Sequence, residues 1–327
     1  MSGGRSSLSA GSPLEVVRVG DIPLEENPRH WLIEGLWGYR AVGLIGGAPK
    51  CCKSWLGLDM AVSVSSGTAC LDRYPVLDRG PVLIYLAEDA LGAVRERIEG
   101  LARHRGFELS ALELFVITAT SLRLDQGSDR QRLVDTLERM RPRLLLLDPL
   151  VRLHAINEND ATEVAQLLSF IRQLQRRFEL AVILVHHARK YNPSGAQAGQ
   201  GLRGSGDLHA FGDSNLYLRR RGVDLILSME HRAAAAPEPV SLELVATEPR
   251  AIHLMVKNKM PLEAAVGRSN LDQAVLEAFA ATPLMTRAKL REKLAVNNER
   301  LGQVLKKLEE EGKLEHGASG WQQAVKA

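Results

Sequence analysis

Several features are scarce in this 327-residue chain. No apolar run approaches the roughly 18 residues needed to cross a bilayer, which argues against a membrane-spanning helix. Cysteine occurs three times, twice in adjacent positions. An odd, clustered set is no disulfide framework, so a reducing cytoplasm is the expected compartment. Charge of one sign is not in excess either: the net charge is +3, too small to point to nucleic acid by itself. The opening stretch MSGGRSSLSAGSPLE has no apolar core, and residues 1–15 are expected to be a disordered tail rather than a secretory signal. No internal repeat is visible. What remains is ordinary globular composition, 45% hydrophobic and 25% charged, at a length that suits one large and one small domain.

Alternating apolar strands and amphipathic helices fill the first two thirds. Residues 16–40 read as an ordered lead-in, with Trp31, Leu36 and Trp37 packing it against the large domain. "AVGLIGG", "PVLIYLAED", "ELFVIT", "PRLLLLD" and "AVILVHH" read as strands. Between them lie helices. The first has Leu56, Met60 and Val64 at helical spacing and stops at Gly67. A strong one carries Val164, Leu167, Leu168, Ile171, Leu174 and Phe178 on one face, with Asp160 and Glu163 forming a capping box. Apolar strands alternating with helices predict a parallel sheet covered on both faces. After residue 213 four strands with short connections ("SNLYLRRR", "VDLILSMEH", "VSLELVA", "AIHLMVK") predict an antiparallel extension.

The stretch Gly46-Gly47-Ala48-Pro49-Lys50-Cys51-Cys52-Lys53-Ser54-Trp55 sits between a strand and a helix. That is the context of a phosphate-binding loop, in which backbone N–H groups and a helix N-terminus surround phosphates. Lys53 is placed to reach the β- and γ-phosphates and the Ser54 hydroxyl to ligate Mg²⁺. The usual glycine before the lysine is replaced by Cys52, whose Cβ and sulfur narrow the space beside the phosphate. The bland alternative is a strand–turn–helix with a chance match. A redox or metal role for the Cys51–Cys52 pair competes with simple packing of two thiols.

Other strand ends supply the groups that hydrolysis needs. Asp148 closes "LLLLD" at the C-terminal edge of the sheet, where it can hold the Mg²⁺ shell or be an ordinary strand-end aspartate. Glu88 and Asp89 close "LIYLAED"; Asp89 suits the N-cap of the next helix, leaving Glu88 as the general base. "LVHHARK" offers His187 as a γ-phosphate sensor, with His186 the core histidine.

Taken together, the phosphate loop, Glu88-Asp89, "LLLLDPLVRLH", "ILVHHARK" and "LRGSGDLHAFGDSNLYLRR" resemble the RecA-like ATPases of the plasmid RepA helicase type. These belong to the DnaB-like hexameric helicase superfamily and are counted among the AAA-family ATPases. The resemblance covers about residues 30–258. It implies a RecA-like P-loop core, ATP and Mg²⁺ bound between subunits of a homo-oligomeric ring, hexameric in that superfamily, and single-stranded DNA moved through the pore. It implies that Lys53 and Ser54 bind phosphate and magnesium, that Asp148 is the Walker B aspartate, Glu88 the catalytic glutamate and His187 the polar sensor. The glycine-rich loop 190–206 would then face the DNA, with Arg189, Lys190 and Arg203 as contacts. The arginine finger is open: Asp213 falls near the family's arginine, and Arg203, Arg219 and Arg220 are substitutes.

A linker is expected at 259–270. Beyond it, three short helices and a hairpin with Gly320 near its turn read as a winged helix-turn-helix domain over 271–327. In "NERLGQVLKKLEEEGK", Asn297 or Asn298 can cap the helix. Arg300, Lys306 and Lys307 could meet phosphates, and Asn298 or Gln303 could touch base edges. Glu309, Glu310 and Glu311 oppose this, and residues 268–327 carry ten basic against eight acidic side chains, so protein docking is the competing use. The expected activity is that of a DNA-acting ATPase motor, a helicase or translocase. The rival is an ATP-switched regulator with little unwinding, and a third idea is strand exchange in recombination or repair.

Overall fold

The computed structural model describes residues 16–22, 30–158, 160–187, 206–221, 224–247, 251–257, 272, 275–279, 284–294, 298–317 and 320–323. The chain divides into two compact units, Met1–Lys257 and Asn258–Ala327.

In the first unit a short hairpin of β1 (Trp31–Ile33) and β2 (Trp37–Gly38) precedes an alternating run. That run is β3 (Val42–Gly47), α1 (Lys53–Ser66), β4 (Val82–Leu86), α2 (Leu91–His104), β5 (Leu114–Val116), α3 (Gly127–Met140), β6 (Leu144–Asp148), α4 (Ala161–Phe178), β7 (Ala181–His187) and α5 (Gly206–Phe211). Four strands complete the unit: β8 (Ser214–Arg221), β9 (Asp224–His231), β10 (Val240–Thr247) and β11 (Ala251–Val256). All but the hairpin join one nine-stranded sheet in the order β11-β10-β9-β8-β3-β7-β6-β4-β5. The pairs from β8 to β5 are parallel and those from β8 to β11 antiparallel. The fold is therefore α/β, with a parallel sheet and an antiparallel extension.

The strands are apolar at successive positions because each buries both faces. Ile45, Ile84, Leu146 and Ile183 pack with α1 and α2. Their neighbours Leu44, Leu83, Leu145 and Val182 pack with α3 and α4 on the other side. Leu36 and Trp37 of the lead-in are fully buried, and Trp37 Nε1 donates to the Ala41 carbonyl. Trp31 is half-buried and meets His231 edge-on at 4.8 Å. Helix α1 ends at Gly67, whose left-handed φ of 81° lets its N–H close on Ser63. The capping box expected at Asp160 is only half formed. Asp160 accepts from the N–H groups of Thr162 and Glu163, but Glu163 reaches past the cap to the N–H of Asn157 at 2.8 Å. The N–H of Asp160 is already bonded to the Asn157 carbonyl.

The central contact is between β3 and β8. Their ladder begins only at Ile45↔Leu216. Upstream, side chains take over: Asp213 accepts from the N–H of Val42 at 3.2 Å and Asn215 from that of Leu44 at 3.1 Å. A Cβ at Gly43 would lie 1.7 Å from the Ser214 carbonyl oxygen, and one at Gly47 2.5 Å from that of Leu218. Only glycine admits this approach. Asp213 also binds Arg172 of α4 at 2.5 Å and Arg232 at 3.1 Å.

The second unit has its own core of Val275, Phe279, Leu290, Leu301, Leu305, Leu308 and Leu314. Its elements are helical backbone at 275–279, β12 (Leu284–Met285), α6 (Arg287–Leu294), α7 (Asn298–Glu310), β13 (Leu314–Gly317) and β14 (Gly320–Gln323). The strands form an antiparallel sheet in the order β12-β14-β13. The expected linker, 259–270, lies outside the described residues.

Beneath the sheet a buried ion pair ties α1 to α2. Asp59 Oδ1 meets Arg105 at 2.8 Å and also accepts from the Leu71 N–H and the Cys70 thiol, with both side chains almost wholly buried. Removing one partner strands the other charge away from water. Asp59→Ala is therefore expected to cost about 3–5 kcal/mol in denaturant unfolding, with part recovered when Arg105 is also replaced by methionine.

Candidate active site

Strand β3 runs out at Gly47 and α1 begins at Lys53, so residues 48–52 form a loop wrapped around the N-terminus of a buried helix. Two loop residues, Lys50 and Cys52, have left-handed backbone (φ 63° and 59°). For a residue with a Cβ this costs about 1–2 kcal/mol. Cys52 thus departs from glycine in backbone preference as well as in bulk. Its thiol is pushed above its usual range by burial, against the pull of the Arg220 guanidinium, which also hydrogen-bonds it. A thiol held protonated is a poor nucleophile and a poor metal ligand. Cys51 is buried, and all three cysteines are free, so the adjacent pair packs as two thiols.

Beside the loop, a cleft of about 330 Å³ is lined by Lys50 to Trp55 together with Glu88, Asp89, Arg97, Asp148, Pro149 and His187. Glu88, Asp148 and His187 come from the C-terminal ends of β4, β6 and β7, so the sheet topology brings them to one edge. Lys53 is 5% exposed and its Nζ donates to the Ala48 carbonyl at 2.8 Å, which holds it across the loop. Burial lowers its pKa, with Asp148 and Glu88 among the charges that oppose this. Asp148 is 6% exposed; burial pushes its carboxyl up to about 6, while a hydrogen bond from the Ser54 hydroxyl pulls the other way. Its second oxygen, Oδ2, is buried with no hydrogen-bond partner among the described residues. A buried carboxylate oxygen lacking a donor, beside a serine hydroxyl, is what a hard cation or its bound water would complete.

Three arginines that the sequence did not single out for these roles organise the rim. Arg152, in the turn after β6, binds the exposed Glu88 at 2.7 Å. Arg97 binds Asp89 at 2.8 Å and lies over the Trp55 ring at 5.5 Å. Asp89 is therefore not the N-cap of α2; Ala90 occupies that position and gives no side-chain cap. The arginine two turns into α2 competes more strongly for the carboxylate than the helix amides do. Arg220, a finger candidate, lies against Cys52 of its own chain; both it and Arg219 are exposed. His186 is buried, in register with Gly46. Arg189, Lys190 and Arg203 lie outside the described residues, as does the loop from 190 to 205.

In the second unit, Lys307 is held by Asp272 and lies 3.7 Å from Glu311, while the exposed Lys306 is 3.8 Å from Glu310. The side chains of Asn298, Arg300 and Gln303 lie outside the described residues, as does Asn297.

The sequence matches the family model of the AAA domain over residues 10–193, more than half of the chain. The chain belongs to the AAA domain family. The matched residues include those that line the cleft beside Lys53. Among solved structures it is similar to a DnaB-like replicative helicase described with its interactions with primase, at 15% identity and a TM-score of 0.48. That likeness covers 66% of this chain and 57% of the helicase chain. No curated protein matches the sequence. No helix among the described residues is long and apolar enough to cross a membrane.

The raised carboxyl of Asp148 sets a pH dependence. The proton is favoured in the folded protein, so stability from this group is present at low pH and lost as pH rises through about 6. A cation that needs the carboxylate relieves that burden only above this range. Calorimetric affinity for Mg²⁺-ATP should therefore fall as pH drops through about 6, by roughly tenfold per unit at the limit. Asp148→Asn should flatten the profile.

Proposed function

We propose that this chain is a RepA-like helicase or translocase that hydrolyses ATP to move along single-stranded DNA as a ring of identical subunits. The observation that carries the reading is the juxtaposition of Lys53, Ser54 and the unsatisfied Asp148 oxygen at the C-terminal edge of a parallel sheet. Loop N–H groups and Lys53 would hold the β- and γ-phosphates, with Lys53 stabilising charge on the transferring phosphoryl group. Ser54 and Asp148 would hold Mg²⁺, which supplies charge neutralisation on the phosphate oxygens. Glu88 would orient the attacking water and accept its proton. To do so it must exchange its contact with Arg152 for that water, and an exposed ion pair of this kind costs little to break. His187 would sense the γ-phosphate. Arg220 lies by its own loop, which leaves Arg219, or Arg203, to complete a neighbour's site. The loop from 190 to 206, with Arg189 and Lys190, would meet DNA in the channel.

The second unit fits a winged helix in element order. Because Lys306 and Lys307 stand beside carboxylates, its contact with DNA would be weak unless Arg300 leads it. Docking to protein is the alternative. A second reading of the whole chain, an ATP-switched regulator with little unwinding, draws on the pairing of Glu88 with Arg152 and on the presence of Cys52 in the loop.

ATP turnover with and without single-stranded DNA decides between them. The motor requires stimulation by DNA. Glu88→Gln should cut turnover by about 10²–10⁴ with ATP still bound, and Lys53→Ala should weaken ATP binding about ten- to hundredfold. Turnover indifferent to DNA would favour the regulator. Cys52→Gly removes the Cβ and frees Arg220, and is expected to tighten ATP binding about fivefold, the worth of one hydrogen bond; unchanged affinity would make the thiol harmless.

A further inference from the structure

The far end of α2 carries a cluster that the ATP site does not use. His104 lies in the last turn of α2, so about 20 Å of helix separates it from the end of α2 that borders the cleft. Its Nε2 is 2.9 Å from a carboxylate oxygen of Asp72, in the turn after α1. The His104 ring stacks on that of His253 from β11, with centroids 3.6 Å apart. One ligand atom from each of the three residues lies within 4.8 Å of the others. His253 is 2% exposed, and its Nδ1 is buried with no hydrogen-bond partner among the described residues.

We propose that Asp72, His104 and His253 form a binding site for a divalent cation of the zinc class. Two imidazole nitrogens and one carboxylate oxygen are the donors such a borderline ion prefers, and three protein ligands leave a fourth position for water. A tetrahedral ion with bonds of about 2.0–2.1 Å sets its ligand atoms roughly 3.4 Å apart. The observed spread of up to 4.8 Å closes by side-chain rotation. His104 and Asp72 can make it, because both keep partial exposure. Arg105, the nearby cation, is neutralised by Asp59 at 2.8 Å. The ion would join three segments distant in sequence and pin β11, the edge strand of the sheet, to α1 and α2. Its role is stability of that edge rather than hydrolysis.

The test uses the full-length chain without a histidine tag, stripped of metal and held in excess Mg²⁺ so that the nucleotide site cannot report. Zinc is titrated against a chromophoric chelator, and thermal unfolding is followed in parallel. The expected result is one Zn²⁺ per chain and a rise in Tm of a few degrees. His104→Ala or Asp72→Asn, both partly exposed and expected to fold, should weaken zinc binding by about a hundredfold or more. Substitution with Co²⁺ should give the intense visible bands of a tetrahedral site. Wild type that competes no better than His104→Ala, or a Tm unmoved by zinc, would overturn the proposal and leave the three residues as a hydrogen-bonded, stacked histidine pair.

Discussion

The close approach of β8 to β3 is the constraint on which the molecule turns. Glycine at 43 and 47 lets carbonyl oxygens of β8 lie where any Cβ would stand. Asp213 and Asn215 then bond the β3 amides that no strand partner reaches. This seam does two things at once. It anchors the strand from which the loop 48–52 springs, and it joins the antiparallel strands to the parallel sheet. It also gives the acid at 213 a structural use. That carboxylate is committed to Val42, Arg172 and Arg232.

At the other end of β3 the electrostatics are set by burial. Lys53 and Asp148 are both nearly excluded from water, and each is biased toward its neutral form by that exclusion. Isolated, such a pair is a liability; with an anion against one and a cation against the other it becomes a receptor for both. Glu88 is the contrasting case. It is exposed and paired with Arg152, so its availability is a matter of geometry. The cleft therefore separates its groups by solvent access, with Lys53 and Asp148 inside and Glu88 at the rim.

The sheet was legible because its strands are apolar on both faces and its helices on one, patterns that survive in a linear string. The loop between β3 and α1 was legible as a break because its glycines and proline stand between a strand pattern and a helix pattern. Less visible were contacts whose partners lie far apart along the chain. Arg152 comes soon after Asp148, yet nothing in its neighbours points to Glu88 across the sheet. Asp89 has the residue type of a helix cap and is instead drawn to Arg97, because a guanidinium outbids backbone amides for a carboxylate. Glu163 likewise bonds a backbone amide upstream of the expected one.

By itself, then, the sequence determined the order of strands and helices and the position of the loop between β3 and α1, since periodicity and local spacing encode both. Tertiary structure alone decided that Arg220 faces the thiol of its own loop, that Asp213 serves the β3 seam, and that Asp72, His104 and His253 gather at one corner. The reason is physical: these outcomes depend on distances between segments set by sheet order and helix packing, and no local pattern of residue types carries that information.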